Sequence, residues 1–173
     1  MPNYRRLFIQ NTYVFIVIVT DKRKPILIDN IELLRESFKI AKRSYNFEIF
    51  ASVILPDHIH LLLRPENIKD YPKIIRAIKY NFSKKFNAGG IAIPPYAEKQ
   101  IWQRGYWEHT IRDDEDLYKH LDYIHYNPVK HGLVKNIRDL EYSSFLKFVK
   151  IKNYDLDWGS TDQIKHIATL DYD

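Results

Sequence analysis

Phe47-Glu48-Ile49-Phe50-Ala51-Ser52-Val53-Ile54-Leu55-Pro56-Asp57-His58-Ile59-His60-Leu61-Leu62-Leu63 reads as two strands joined by a tight turn. Apolar and β-branched residues dominate both arms, Pro56-Asp57 carries turn chemistry, and Pro65 closes the second arm. The pair is an antiparallel hairpin. Side chains alternate between the faces of a sheet, so His58 and His60 must share one face.

Upstream, Leu7 to Thr20 is rich in β-branched and aromatic residues. Its run Tyr13-Val14-Phe15-Ile16-Val17-Ile18-Val19 is too apolar for an edge, which predicts a central first strand. After the break at Asp21-Lys22-Arg23-Lys24-Pro25, apolar residues recur at helical spacing from Ile31 to Tyr45, with Asp29 or Asn30 as cap. Downstream of the hairpin, a second helix is expected from Asp70 to Phe86, with Ile74, Ile75, Ile78, Phe82 and Phe86 on one side and a basic outer face. Asn87 to Glu98, with Gly89-Gly90 and Pro94-Pro95, reads as a loop. Strand character returns from Ile101 to Arg112. Asp113-Asp114-Glu115-Asp116 then opens a third helix that Pro128 is expected to stop.

The order strand, helix, strand, strand, helix, strand, followed by further helices, fits an α+β fold. The expected form is a ferredoxin-like or RRM-like antiparallel sheet with helices on one face and the site on the open face. Residues 1–150 read as one catalytic domain and 151–173 as a tail.

Composition narrows the chemistry. The chain has 173 residues, enough for one core and short of two average domains. Zero cysteines exclude disulfides and thiolate zinc, leaving His, Asp, Glu and Asn as ligands. No transmembrane-length apolar run or signal peptide is visible, so a cytoplasmic protein without a membrane partner is expected. A net charge of +5 favours an anionic partner, and thirteen Tyr with three Trp offer surfaces on which unpaired bases stack.

His-x-His alone is a weak motif. Two imidazoles on one strand face, set among large apolar residues, are costly unless they share a partner, and a metal is the economical one. In Tyr123-Ile124-His125-Tyr126-Asn127, Tyr123 and Asn127 stand four residues apart on one helix face. That face is expected to flank the buried stripe of Leu117, Leu121 and Ile124. A tyrosine nucleophile beside a metal suggests phosphodiester chemistry; Tyr126 is a rival on another face.

Three blocks, Pro56-Asp57-His58-Ile59-His60-Leu61, Ile101-Trp102-Gln103-Arg104-Gly105-Tyr106-Trp107-Glu108-His109-Thr110-Ile111-Arg112, and Leu121-Asp122-Tyr123-Ile124-His125-Tyr126-Asn127-Pro128-Val129-Lys130-His131-Gly132-Leu133-Val134, resemble the REP-associated tyrosine transposases. These belong to the single-tyrosine, His-hydrophobe-His branch of single-strand DNA transposases. The likeness runs from Tyr4 to about Phe145, and the Tyr-x-x-x-Asn-Pro-Val-Lys-His-Gly block is its most specific part.

The resemblance implies that His58, His60 and Asn127 bind a divalent cation and that Tyr123 attacks phosphorus, leaving a 5′-phosphotyrosine and a free 3′-OH. The implied partner is single-stranded DNA with hairpin-forming palindromes and a short guide beside them. Two imidazoles, one amide oxygen and water suit Mg²⁺ or Mn²⁺. His120 and His125 are unranked candidates for proton transfer. Arg5, Arg6, Lys79, Lys84, Lys85, Arg104, Arg112 and Lys130 are the candidates for phosphate contacts. Monomer and homodimer stay equally open. The competing function class is a non-catalytic module that binds single-stranded nucleic acid on the same sheet, for which Tyr123 and Asn127 beside the histidines are unnecessary.

Overall fold

The computed structural model describes residues 7–88 and 101–172. Four strands, β1 (Val14–Val19), β2 (Phe47–Ile54), β3 (His58–Pro65) and β4 (Trp107–Thr110), form one antiparallel sheet in the order β2-β3-β1-β4. The first strand is central, as its apolar run demands. Val14, Ile16 and Ile18 point to one core, and Phe15 and Val17 to another.

Helices α1 (Ile31–Ser44) and α2 (Tyr71–Ala88) cover the first face, packing Leu34, Ala41, Ile74, Ile75, Ile78 and Phe82 onto Ile59, Leu61 and Leu63. This is the α+β arrangement the pattern implies. The second face carries the histidines, but it is roofed rather than open. Leu121, Tyr123 and Ile124 of α3 (Asp114–Lys130) and Phe145 and Phe148 of α4 (Phe145–Lys150) pack onto Phe15, Val17, Ala51, Val53 and Leu62. The reason is physical: a row of Phe, Val and Leu on that face is too apolar to be left in water.

Two boundaries differ from expectation. Strand β4 is four residues long, not twelve, because Gly105 turns the chain at φ +84° and Trp102 is diverted to bridge Thr20 and to donate its Nε1–H to the Lys79 carbonyl at 3.1 Å. Helix α3 runs through Pro128 instead of stopping there. It ends at Lys130 and is closed at Gly132, φ +66°, where the Gly132 N–H reaches Val129 O (2.9 Å) and the Leu133 N–H reaches Pro128 O (3.0 Å). This reciprocal closure is a Schellman motif, and glycine supplies its left-handed residue.

Residues 151–172 are no loose tail. Tyr154 and Ile167 are buried, the Tyr154 hydroxyl donates to Asp122 Oδ1 at 2.5 Å, and His166 Nε2 lies 2.7 Å from Asp122 Oδ2. A last short helix, α5 (Thr161–Ile164), leads the chain back to α3. No helix among the described residues is long and apolar enough to cross a membrane.

Candidate active site

His58 and His60 lie in β3 opposite Val19 and Val17 of β1, both side chains inside the second core. His58 Nδ1 is 2.6 Å from Asp57 Oδ1, and Asp57 Oδ2 accepts from Arg23 Nη1 at 3.0 Å. Burial alone would raise the Asp57 carboxyl; hydrogen bonding and charge attraction from His58 and Arg23 outweigh it and hold the carboxyl below its ordinary value. A carboxylate that receives Nδ1–H fixes the tautomer in which Nε2 bears the lone pair, the usual support of a metal-binding imidazole.

Helix α3 faces this pair. The Tyr123 ring meets His60 edge-to-face at 5.6 Å, and His131, at the helix end, meets His58 at 5.1 Å. Asn127 lies between Tyr123 and His131 at four-residue steps, on the same face of α3. It is fully buried, and neither its amide oxygen nor its amide nitrogen has a hydrogen-bond partner. An orphaned buried amide costs about 1–3 kcal/mol. Two imidazoles and an amide oxygen together make a donor set of the kind that holds a divalent cation.

The sequence places Tyr123 and Asn127 at the flank of the core, whereas both are 0 % exposed. Helical geometry alone misses this because α3 is covered on two sides, by the sheet and by the chain end. The Tyr123 hydroxyl accepts from Lys130 Nζ at 3.0 Å and from the Tyr172 backbone N–H at 3.2 Å. Lys130 also pairs with Asp171 at 3.0 Å. Lys130, expected among the phosphate contacts, thus stands at the tyrosine oxygen.

The two proton-transfer candidates separate. His125 is enclosed by Phe145, Phe148 and Tyr154, its Nε2 lies 2.8 Å from Ser144 Oγ, and burial pulls it down to about 3. It packs the far side of α3. His120 is stacked on His109 at 4.7 Å and on Tyr172 at 5.1 Å, next to Phe15. Burial is the largest influence on His120 and lowers it to about 4, against the raising effect of Asp116.

His109, Asp116 and His120 form a cluster that sequence reasoning passes over, with ligand atoms within 4.8 Å of one another. Asp116 engages both imidazoles, His109 Nε2 at its Oδ2 (2.7 Å) and His120 Nδ1 at its carbonyl (2.8 Å), while the buried His120 Nε2 has no hydrogen-bond partner. The two rings are also stacked at 12°, so their in-plane lone pairs lie in parallel planes instead of meeting at one point. The cluster is a clamp on His120. The signal that could have found it is the His109-to-Asp116 spacing across a strand end and a helix start.

Among the remaining basic residues, Lys84, Arg104 and Arg112 are exposed, Lys85 lies 3.8 Å from Glu36, and Arg5 and Arg6 fall outside the described residues. The N-cap turn of α3 also engages Arg112, whose N–H donates to Asp116 Oδ2 at 3.0 Å. Lys79 does not lie on a free basic face. Its ammonium donates to the carbonyls of Gln103 (2.9 Å) and Gly105 (2.7 Å), and burial lowers it to about 8. The loop predicted at 87–98 lies outside the described residues from 89 onward.

Comparison with known proteins gives concordant likenesses. A family model described as "Transposase IS200 like" matches residues 8–127. A Haemophilus influenzae protein bearing the name REP-associated tyrosine transposase is 44% identical over 95% of this chain and 97% of its own. The REP-associated tyrosine transposase of Escherichia coli K12 is 38% identical over 92% of each. A solved structure of a REP-associated tyrosine transposase bound to a REP hairpin superposes with a TM-score of 0.79 at 37% identity, covering 92% of both chains.

Proposed function

The chain belongs to the IS200-like transposase family, as a REP-associated tyrosine transposase, and on that premise we propose that it cleaves and rejoins single-stranded DNA beside hairpin-forming palindromic repeats, using Tyr123 and a divalent cation. The observation that carries this reading is the convergence of Tyr123 on His60 with Asn127 one turn further along, its buried amide lacking a protein partner. The relative bound to a REP hairpin supports a folded palindrome as substrate.

His58, His60 and Asn127 would hold the cation, which when bound supplies positive charge to a scissile phosphate. Tyr123 forms a bond from its oxygen to phosphorus as the bond from phosphorus to the 3′-oxygen breaks. The phenol proton is given up, the 3′-oxygen takes one, and the products are a 5′-phosphotyrosine and a free 3′-OH. One phosphodiester replaces another, so the reverse attack by a 3′-OH rejoins strands without an outside energy source. A tyrosine with its ordinary value near 10 is a poor nucleophile while protonated. The Lys130 ammonium at its oxygen stabilises negative charge developing there and aims the lone pair.

The test is incubation with Mn²⁺ or Mg²⁺ and single-stranded oligonucleotides carrying the palindromes that flank the gene, followed by a denaturing gel. A metal-dependent covalent protein-DNA adduct is expected, lost in Tyr123→Phe and in His58→Ala. Tight binding with no adduct under either metal would replace the enzyme with a non-catalytic single-strand binding module.

A further inference from the structure

We propose that the cavity beside the tyrosine is a subsite for one unpaired nucleobase adjoining the scissile phosphate, closed on one side by Trp107 and served at its rim by Arg104. The inference rests on the cleavage reading above and deepens it.

The cavity measures about 350 Å³. That is near the lower end of ligand-sized pockets and leaves room for a flat base. Its floor is Val17 and Val19, which stand directly opposite His60 and His58 in the sheet register. The floor is therefore the same sheet face as the candidate cation ligands, one strand away, about 5 Å. Trp107 pairs with Val17 on the other side, so a cross-strand row runs Trp107, Val17, His60. This floor is within one nucleotide's reach of a phosphate held at Tyr123 and the histidines.

The walls suit a base. Trp107 opens β4 and is 40 % exposed beside the buried Glu108, and an exposed indole on a rigid strand is a stacking platform. The ring of Tyr172 already lies against it at 5.0 Å and 31°, a tilted contact that a base stacking on that indole face would replace. Arg104 is exposed at the rim, and the segment that carries it is fixed on both sides: Lys79 holds the carbonyls of Gln103 and Gly105, and the Gln103 N–H donates to Val19 O at 2.9 Å. One half-buried lysine ammonium bonded to two carbonyls fixes the geometry of this surface turn. The turn presents a guanidinium where the backbone phosphate of a stacked nucleotide would lie.

The experiment uses full-length protein carrying Tyr123→Phe, which prevents turnover, and fluorescence anisotropy with hairpin oligonucleotides in which one abasic site is walked along the single-stranded flank. Adduct formation is measured in parallel with the Tyr123 protein. One abasic position next to the cleavage point should weaken binding roughly tenfold or more. In Trp107→Ala that position should cost almost nothing, Trp107→Tyr should restore the penalty, and Arg104→Ala should reduce the salt slope of binding by about one unit. An abasic profile of Trp107→Ala that superimposes on that of Trp107 protein, with adducts still forming, would overturn the subsite and leave the cleavage reading standing. Loss of both binding and adduct in the protein with Tyr123 and Trp107 intact would overturn both.

Discussion

Tyr123 is a nucleophile candidate only because of what surrounds its oxygen. An isolated phenol is almost wholly protonated at neutral pH, so the contact from Lys130 Nζ at 3.0 Å is the feature that makes attack reasonable. Lys130→Met should lower the rate of adduct formation roughly ten- to a hundredfold, the worth of a hydrogen bond to a charged group, while hairpin affinity changes little. Lys130→Arg should recover part of the rate. Equal losses in affinity and rate would instead return Lys130 to phosphate binding. Asn127 gives a second test that needs no DNA. Asn127→Leu removes an unsatisfied buried amide, so the metal-free variant should melt no lower than the parent protein, and up to about 1–3 kcal/mol more stable. It should also lose the rise in Tm that Mn²⁺ gives the parent protein. A Tm rise of equal size in both would remove Asn127 from the ligand set.

At the scale of elements, helix α3 carries Tyr123, Asn127 and Lys130, and its C-terminal stop sets how far this face extends along the histidine pair. Proline at 128 does not break the helix, and the chain turns only where Gly132 adopts φ +66° with two closing hydrogen bonds. No atom crowds the place where a Cβ would stand at Gly132, so Gly132→Ala is a test of backbone conformation alone. It should cost about 1 kcal/mol, read as a lower midpoint in urea with an unchanged slope. It should also shift His131, which meets His58 at 5.1 Å. A stability equal to that of the parent protein would mean the left-handed turn does not hold this helix end.

The whole molecule has a sheet covered on both faces, with titratable groups inside. His120 and His125 fall to about 4 and about 3 when folded, chiefly by burial, below the ordinary histidine value of 6.5. Between those values the unfolded chain binds more protons than the folded one, so stability falls as pH drops from about 6.5. Asp57 and Asp116 act in the same direction: both are held below 3.8 in the fold, and the stability they contribute is lost as pH falls through their folded values. His125→Gln, which retains a group able to hydrogen-bond Ser144, should recover on the order of 3 kcal/mol of the loss between pH 7 and pH 4, measured by urea titration at each pH. An unaltered pH dependence would show that His125 becomes charged without unfolding the protein.

Alternation and helical spacing alone specify the hairpin, the central first strand and the helix pair on one face, and they bring forward the side chains proposed to react. Each is a local or periodic property: alternation puts His58 and His60 on one face, and a four-residue step puts Tyr123 and Asn127 on one side of α3. Tertiary structure alone decided the rest. Burial of Tyr123 and Asn127, the place of Lys130 at the phenol oxygen, the pinning of the 103–105 turn by Lys79 and the return of Tyr172 over the site all join residues distant in sequence. Spacing cannot encode such contacts. They follow from which apolar faces must be covered once the sheet has formed, and the second face of this sheet, lined by Phe15, Val17 and Leu62, required a roof.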